Sequence, residues 1–212
     1  MNYISYEDSI FIAGHNGMAG KSIKRALEKN GYNNILSEDR RNLDLRNYEN
    51  VNNWFSLKKP RVVILAAAKV GGIHANNTYP YDFLLENLNI NTNVIDASFK
   101  HDVKRFLFLG SSCIYPKYSK QPIVEESLLN GSLEPTNEPY AIAKISGIKL
   151  CCALRKQHNF DAISLMPTNL YGPGDYYDSL NSHVIPGLIQ KFHNAKEKNL
   201  ESINCWGTGK PM

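Results

Sequence analysis

Short apolar runs recur along this chain, and between them apolar residues return at helical spacing. Ile10–Ala13, Val62–Ala66, Arg105–Leu109 and Ala162–Met166 are runs of the length and composition of buried strands, and Asn34–Ser37 is a weaker one. Between them lie stretches whose apolar residues share one helical face. Met18 to Asn30 carries Met18, Ala19, Ile23, Ala26 and Leu27 on one side and is stopped by Gly31. Tyr48 to Leu57, Tyr81 to Lys100 and Pro139 to Gln157 follow the same rule, the last with proline in the permitted first turn. Strands alternating with helices predict an α/β fold built on a parallel, doubly wound, Rossmann-like sheet.

After Gly172-Pro173-Gly174-Asp175, a strong turn signal, the rhythm changes. One amphipathic helix is expected over Val184 to Lys198, then a strand near Ile203–Trp206, and the pattern breaks off in mid-domain. Residues 1–175 are therefore read as a nucleotide-binding domain. Residues 176–212 are read as the beginning of a smaller substrate-binding region.

Composition narrows the field. The 212 residues are 42% hydrophobic and 21% charged, with a net charge of +4. Lys and Arg never run beyond two in a row, which argues against nucleic acid as a partner and leaves room for an anionic small molecule. Residues 1–10 carry Glu7 and Asp8 without a basic flank, and no stretch approaches the ~20 apolar residues of a membrane span. Cys113, Cys151, Cys152 and Cys205 have neither metal-ligand nor disulfide-framework spacing, so no metal and a reducing cytoplasm are expected. Apart from Cys113, these cysteines, with His74, His101, His158 and His193, are read as packing or surface residues.

Candidate chemistry begins at Gly14-His15-Asn16-Gly17-Met18-Ala19-Gly20, between the first strand and the first helix. There the first glycine permits the turn, the second lets backbone approach a pyrophosphate, and the third lets the helix lie close. Past the second strand, Arg40 and Arg41 suit a 2′-phosphate, whereas Glu38 and Asp39 suit a free ribose hydroxyl. Tyr140 and Lys144 form a YxxxK pair on one helix face, where an ammonium is expected to lower the phenol's pKa of ~10 and ready it for proton transfer. Ser111, at the end of the fourth strand, would orient a carbonyl. The bland alternative, an exposed Tyr and Lys on a helix beside a Gly-rich turn, requires these features to have come together by chance.

Longer segments carry a more specific likeness: Phe11 to His15, Ala66 to Ile73, Ala75 to Pro80, Gly110 to Pro116, Leu133 to Lys144, Met166 to Pro173 and Asn181 to Pro186. In these the chain resembles the GDP-L-fucose synthase family of extended short-chain dehydrogenases, over essentially its whole length. The resemblance implies a multifunctional oxidoreductase and isomerase of nucleotide-sugar biosynthesis, with NADPH-dependent reduction and C3/C5 epimerisation of a GDP-linked 4-keto-6-deoxy sugar. It places NADP(H) against Gly14, His15, Asn16, Gly17, Met18, Ala19 and Gly20, then Arg40, Arg41, Asn42, Leu43, Asp44 and Leu45. Further cofactor contacts implied are Leu109, Gly110, Ser111, Ser112 and Lys144, then Pro167, Thr168, Asn169, Leu170 and His183. It makes Cys113 and His183 the acid–base pair of epimerisation, gives Lys191 and Trp206 to the GDP-sugar, and implies a homodimer through 81–100 and 139–157. Asn16 departs from the arginine common at that position. Two other readings stay open: a C4-reductase of another GDP-4-keto sugar, such as a GDP-heptose, that does not epimerise, and a catalytically silent nucleotide-binding protein.

Overall fold

The computed structural model describes all residues except 1–3, 179–180, 206 and 208–212. Five strands form one sheet: β1 (Ile10–Ala13), β2 (Ile35–Leu36), β3 (Val62–Leu65), β4 (Arg105–Leu109) and β5 (Ala162–Leu165). All neighbours are parallel, in the order β2-β1-β3-β4-β5. The chain leaves β1 toward β2 on one side and returns to place β3 on the other. The winding therefore reverses between β1 and β3, which opens a crevice at their carboxyl ends.

Six helices connect and flank the strands: α1 (Met18–Lys29), α2 (Tyr48–Lys58), α3 (Ile73–Thr78), α4 (Pro80–Lys100), α5 (Glu138–His158) and α6 (Val184–Glu197). Their ends follow local chemistry. The Asn47 side chain accepts from the Asn50 amide at 3.0 Å and caps α2, while Pro80 and Pro139 occupy first turns of α4 and α5. Asn159 ends α5 in a left-handed conformation (φ 56°), one of the few non-glycine types that tolerate it.

Alternate strand residues divide the core between two faces. Phe11, Val63, Leu65, Phe106 and Phe108 point to one side and pack with Val51 and Phe55 of α2, Val94 and Ile95 of α4, and Ile145 and Ile148 of α5. Ile10, Ile12, Val62 and Ile64 point to the other, against Ile23 and Leu27 of α1. Being buried on both faces, β1 and β3 read as unbroken apolar runs rather than alternating ones. Among the described residues no helix is long and apolar enough to cross a membrane.

The sequence expectation differs from the structure in two places. α3 was not anticipated: six residues of Ile-His-Ala-Asn-Asn-Thr carry too little periodicity to announce a helix. No strand forms at 203–205, the described part of the expected one. Residues 203–205 run as irregular chain beside α6, where Lys191 Nζ donates to the Asn204 carbonyl at 3.3 Å, and Trp206 lies outside the described residues. A strand needs a neighbour to complete its ladder, and none of the described residues lies alongside as one.

Candidate active site

The glycine loop sits at the crevice between β1 and β3. Gly14 has φ +92°, and a Cβ there would lie 2.6 Å from the Ala67 nitrogen just past β3. A Cβ on Gly20 would overlap the Gly14 carbonyl. These two glycines are required by the protein's own packing. Gly17 is not: its Cβ would meet only the Gly14 carbonyl, at an ordinary 3.5 Å. Gly17 instead leaves exposed backbone at the N-terminus of α1, where unpaired N–H groups and the positive helix end favour an anion. The loop fits a dinucleotide's pyrophosphate.

Beyond β2, the Asn16 amide donates to Asp39 Oδ1 at 2.5 Å, and His15 Nε2 lies 3.7 Å from the same oxygen. Arg40 reaches Glu86 of α4 at 3.6 Å, while Arg41 and Asn42 are exposed. Leu43 is buried in the core. Asp44 is paired at both oxygens with Arg46, which holds its carboxyl down at about 2. Leu45 offers its carbonyl to Asn93 of α4 at 3.0 Å. The Leu109–Ser112 and Pro167–Leu170 segments follow β4 and β5. They are tied together where the Gly110 amide donates to Leu165 (2.8 Å) and the Ser112 amide to Pro167 (3.2 Å).

Four of the candidate catalytic groups meet at the end of β4. Cys113 Sγ donates to Ser111 Oγ at 3.1 Å, and the Ser111 hydroxyl also caps the short 3-10 turn 112–114. Tyr140 opens α5 with its ring edge-on to Phe83 at 6.5 Å. Lys144 follows one turn later, its Nζ 5.7 Å from the Tyr140 ring centre. Burial pushes the Tyr140 phenol well above its ordinary value, and Cys113 adds to that, while Ser111 works the other way. Burial also raises the Cys113 thiol, against the pull of Ser111 and the Lys144 ammonium.

Lys144 corrects one expectation. Its ammonium does not lower the phenol here: it is 3% exposed and donates to the Leu109 carbonyl at 2.7 Å. Burial brings its own pKa down to about 8. A buried ammonium whose folded pKa lies below the unfolded 10.5 binds fewer protons in the native state, so stability rises as pH climbs from about 8 to 10.5. Below that window the full penalty applies, on the order of 3 kcal/mol. Lys144→Met is therefore expected to raise Tm at pH 7 by about 6–12 °C, a gain that shrinks as the pH is taken through that window. Thermal melts at pH 7 and at a pH above 9 check this. A lower Tm at pH 7 would mean that the bond to Leu109 outweighs the burial of charge.

His183 and Lys191 belong to a different element from this cluster, α6 and its N-terminal cap. His183 is exposed at the start of α6. Its loop is held by the Gly72 amide, which donates to the Asn181 carbonyl at 2.8 Å. Trp206, the other expected sugar-nucleotide contact, lies outside the described residues.

Sequence reasoning passed over Asn91. It is buried on α4, and its Nδ2 donates to the Ala143 carbonyl at 3.0 Å, between Tyr140 and Lys144 on α5. It thereby fixes how α5 presents that pair. The signal was available: Asn87, Asn89, Asn91 and Asn93 interrupt an apolar helix, and Asn87 clamps the Lys69 backbone in the same way.

The profile of the NAD dependent epimerase/dehydratase family matches residues 10–212. GDP-L-fucose synthase 1 of Arabidopsis thaliana is 58% identical over 203 residues, covering 96% of this chain and 63% of that protein. GDP-L-fucose synthase of Escherichia coli (strain K12) is 53% identical with the same two coverages. The crystal structure of a GDP-D-glycero-L-gluco-heptose synthase from Campylobacter jejuni, determined in the presence of NADPH, superposes with a TM-score of 0.87. It is 39% identical, over 93% of this chain and 58% of that one. The chain thus spans about 63% of the length of the two curated relatives.

Proposed function

Because the chain belongs to the NAD dependent epimerase/dehydratase family, we propose that it serves NADPH-dependent reduction, with C3/C5 epimerisation, of a GDP-4-keto-6-deoxy sugar. The observation that carries this reading is the meeting of Ser111, Cys113, Tyr140 and Lys144 at the end of β4, two strands over from β1 and its glycine loop. Residues 1–175 hold the cofactor, and 176–212 open the substrate-binding region. The protein works in the cytoplasm, as four free thiols suit, and pairs with a second copy through α4 and α5.

When bound, the nicotinamide cofactor supplies the hydride that reduces C4. The protein's residues handle protons and charge. The C4 ketone acidifies the hydrogens on C3 and C5, so removing one yields an enolate whose oxygen Ser111 and Tyr140 stabilise by hydrogen bonding. Inversion requires a proton to leave from one face and return on the other. That calls for two groups on separate walls, and Cys113 after β4 and His183 before α6 sit on different elements. For reduction, Tyr140 gives its proton to the C4 oxygen; burial keeps the phenol protonated at neutral pH and also makes it a weaker acid than a free tyrosine. Lys144, one turn after Tyr140, would hold the cofactor's ribose hydroxyls.

The test is to supply NADPH and GDP-4-keto-6-deoxymannose in heavy water. The expected result is loss of NADPH absorbance with deuterium at C3 and C5 of the product. Oxidation without deuterium would leave a plain C4-reductase. No oxidation, with NADPH still bound, would sink the proposed reaction for this chain.

A further inference from the structure

An amide on the glycine loop and a carboxylate just past β2 stand where the cofactor's adenosine ribose is to be received, and the two are bonded to each other. Asn16 Nδ2 donates to Asp39 Oδ1 at 2.5 Å, with His15 Nε2 3.7 Å from that same oxygen. Asp39 comes shortly after β2 ends at Leu36, and its side chain is 63% exposed, facing solvent rather than core. The nearby cations are less available than the sequence suggests. Arg40 is drawn to Glu86 (3.6 Å), a carboxylate that already takes Lys69 at 2.6 Å and Arg46 at 3.1 Å. Arg41 points to solvent.

We propose that Asp39, clamped over the glycine loop by Asn16, is the residue that sets this chain's cofactor preference, and that it brings NADH to within about tenfold of NADPH in affinity. The inference rests on the reading of the glycine loop as the dinucleotide site. A carboxylate at the end of the second strand accepts hydrogen bonds from a free ribose 2′-hydroxyl, whereas a 2′-phosphate is served by arginine. Here the phosphate would meet a negative charge held at the loop, and one of the two Asn16 amide hydrogens is committed to that carboxylate. The arginines work against this repulsion from farther out, which leaves a site open to both cofactors rather than closed to one. Between exposed charges a few ångströms apart the repulsion is modest and screened by salt, so removing the carboxylate is expected to change affinity by roughly tenfold rather than a thousandfold.

The experiment is calorimetric titration of the 212-residue chain with NADH and with NADPH, at low and at high salt, for the wild type, Asp39→Asn and Asn16→Ala. Asp39→Asn keeps the shape and the surface position, so the fold is undisturbed. The expected result is comparable affinity for the two cofactors in the wild type and an NADPH:NADH affinity ratio about tenfold higher in Asp39→Asn, the difference shrinking with salt. Asn16→Ala should move the ratio the same way by freeing the carboxylate to turn aside. A wild type that binds NADPH better than NADH by clearly more than that roughly tenfold margin would overturn the inference and leave the cofactor site standing. So would a ratio that Asp39→Asn does not move. Binding of neither cofactor would overturn the cofactor site itself, and the inference with it.

Discussion

Tyr140→Phe is expected to lower the rate of reduction by about 10²–10⁴-fold while leaving cofactor affinity and Tm nearly unchanged. The substitution removes one oxygen. The ring keeps its edge-on contact with Phe83 at 6.5 Å, and α5 keeps its anchor, because Asn91 bonds to the backbone at Ala143 and not to the phenol. The lost hydroxyl sits in a partly buried place where burial holds it protonated. Its removal relieves a desolvated polar group, so the change in stability is expected to stay within about 1 kcal/mol. The effect on chemistry has no such offset. Among the described residues near the end of β4, Cys113 is committed to Ser111, and Lys144 to the Leu109 carbonyl. Neither stands where the phenol stands to protonate a C4 oxygen. The measurement is initial rates of cofactor oxidation beside a binding titration and a thermal melt. A variant that keeps more than a tenth of the rate would remove Tyr140 from the role of proton donor. A variant that loses cofactor binding as well would show that the phenol shapes the site rather than serving the reaction.

The two levels at which this protein was legible in sequence differ in kind. Strands buried on both faces leave a strong trace, because every position is apolar. β4 and the core of β1 and β3 fall where the runs predict, with a residue or two of fraying at β2, β3 and β5. A six-residue helix leaves almost none, which is why α3 was missed, and the expected strand at 203–206 shows that composition alone cannot provide a pairing partner. At the site, spacing brought Tyr140 and Lys144 forward beside the strand-end Ser111, Cys113 came forward only through the family resemblance, and the fold gathers all four. What spacing could not tell was direction. Residues one turn apart on a helix share a face, but Lys144 is surrounded by Phe108 (5.0 Å to the ring centre) and the end of β4, and it satisfies its charge on a backbone carbonyl there. Desolvation then outweighs proximity, and the lysine's own pKa falls while the phenol's rises. Likewise Asp39 and Arg40 are adjacent in sequence and opposite in charge, and only the fold reveals that one turns to Asn16 and the other to Glu86.

Cys113→Ser is the second large effect, and it separates the two halves of the proposed reaction. Exchange of deuterium into C3 and C5 is expected to fall by about 10²-fold or more, because a serine hydroxyl neither gives nor takes a proton readily near neutrality. Burial already lifts the Cys113 thiol, and what keeps it usable is local: the Ser111 hydroxyl at 3.1 Å and the Lys144 ammonium both favour the thiolate. A serine inherits the same desolvation from a much weaker starting acidity. Reduction draws on a different atom, the Tyr140 hydroxyl, so a 4-keto sugar supplied with C3 and C5 already inverted should be reduced at close to the wild-type rate. That substrate is the decisive control. If the serine variant reduces the inverted sugar normally but stalls on the uninverted one, Cys113 belongs to epimerisation alone. If both substrates slow together, Cys113 acts through Ser111, whose hydroxyl it shares, and its place is in orienting the carbonyl. If exchange persists undiminished, the proton traffic at C3 and C5 runs through other groups, and the pairing of Cys113 with His183 must be given up.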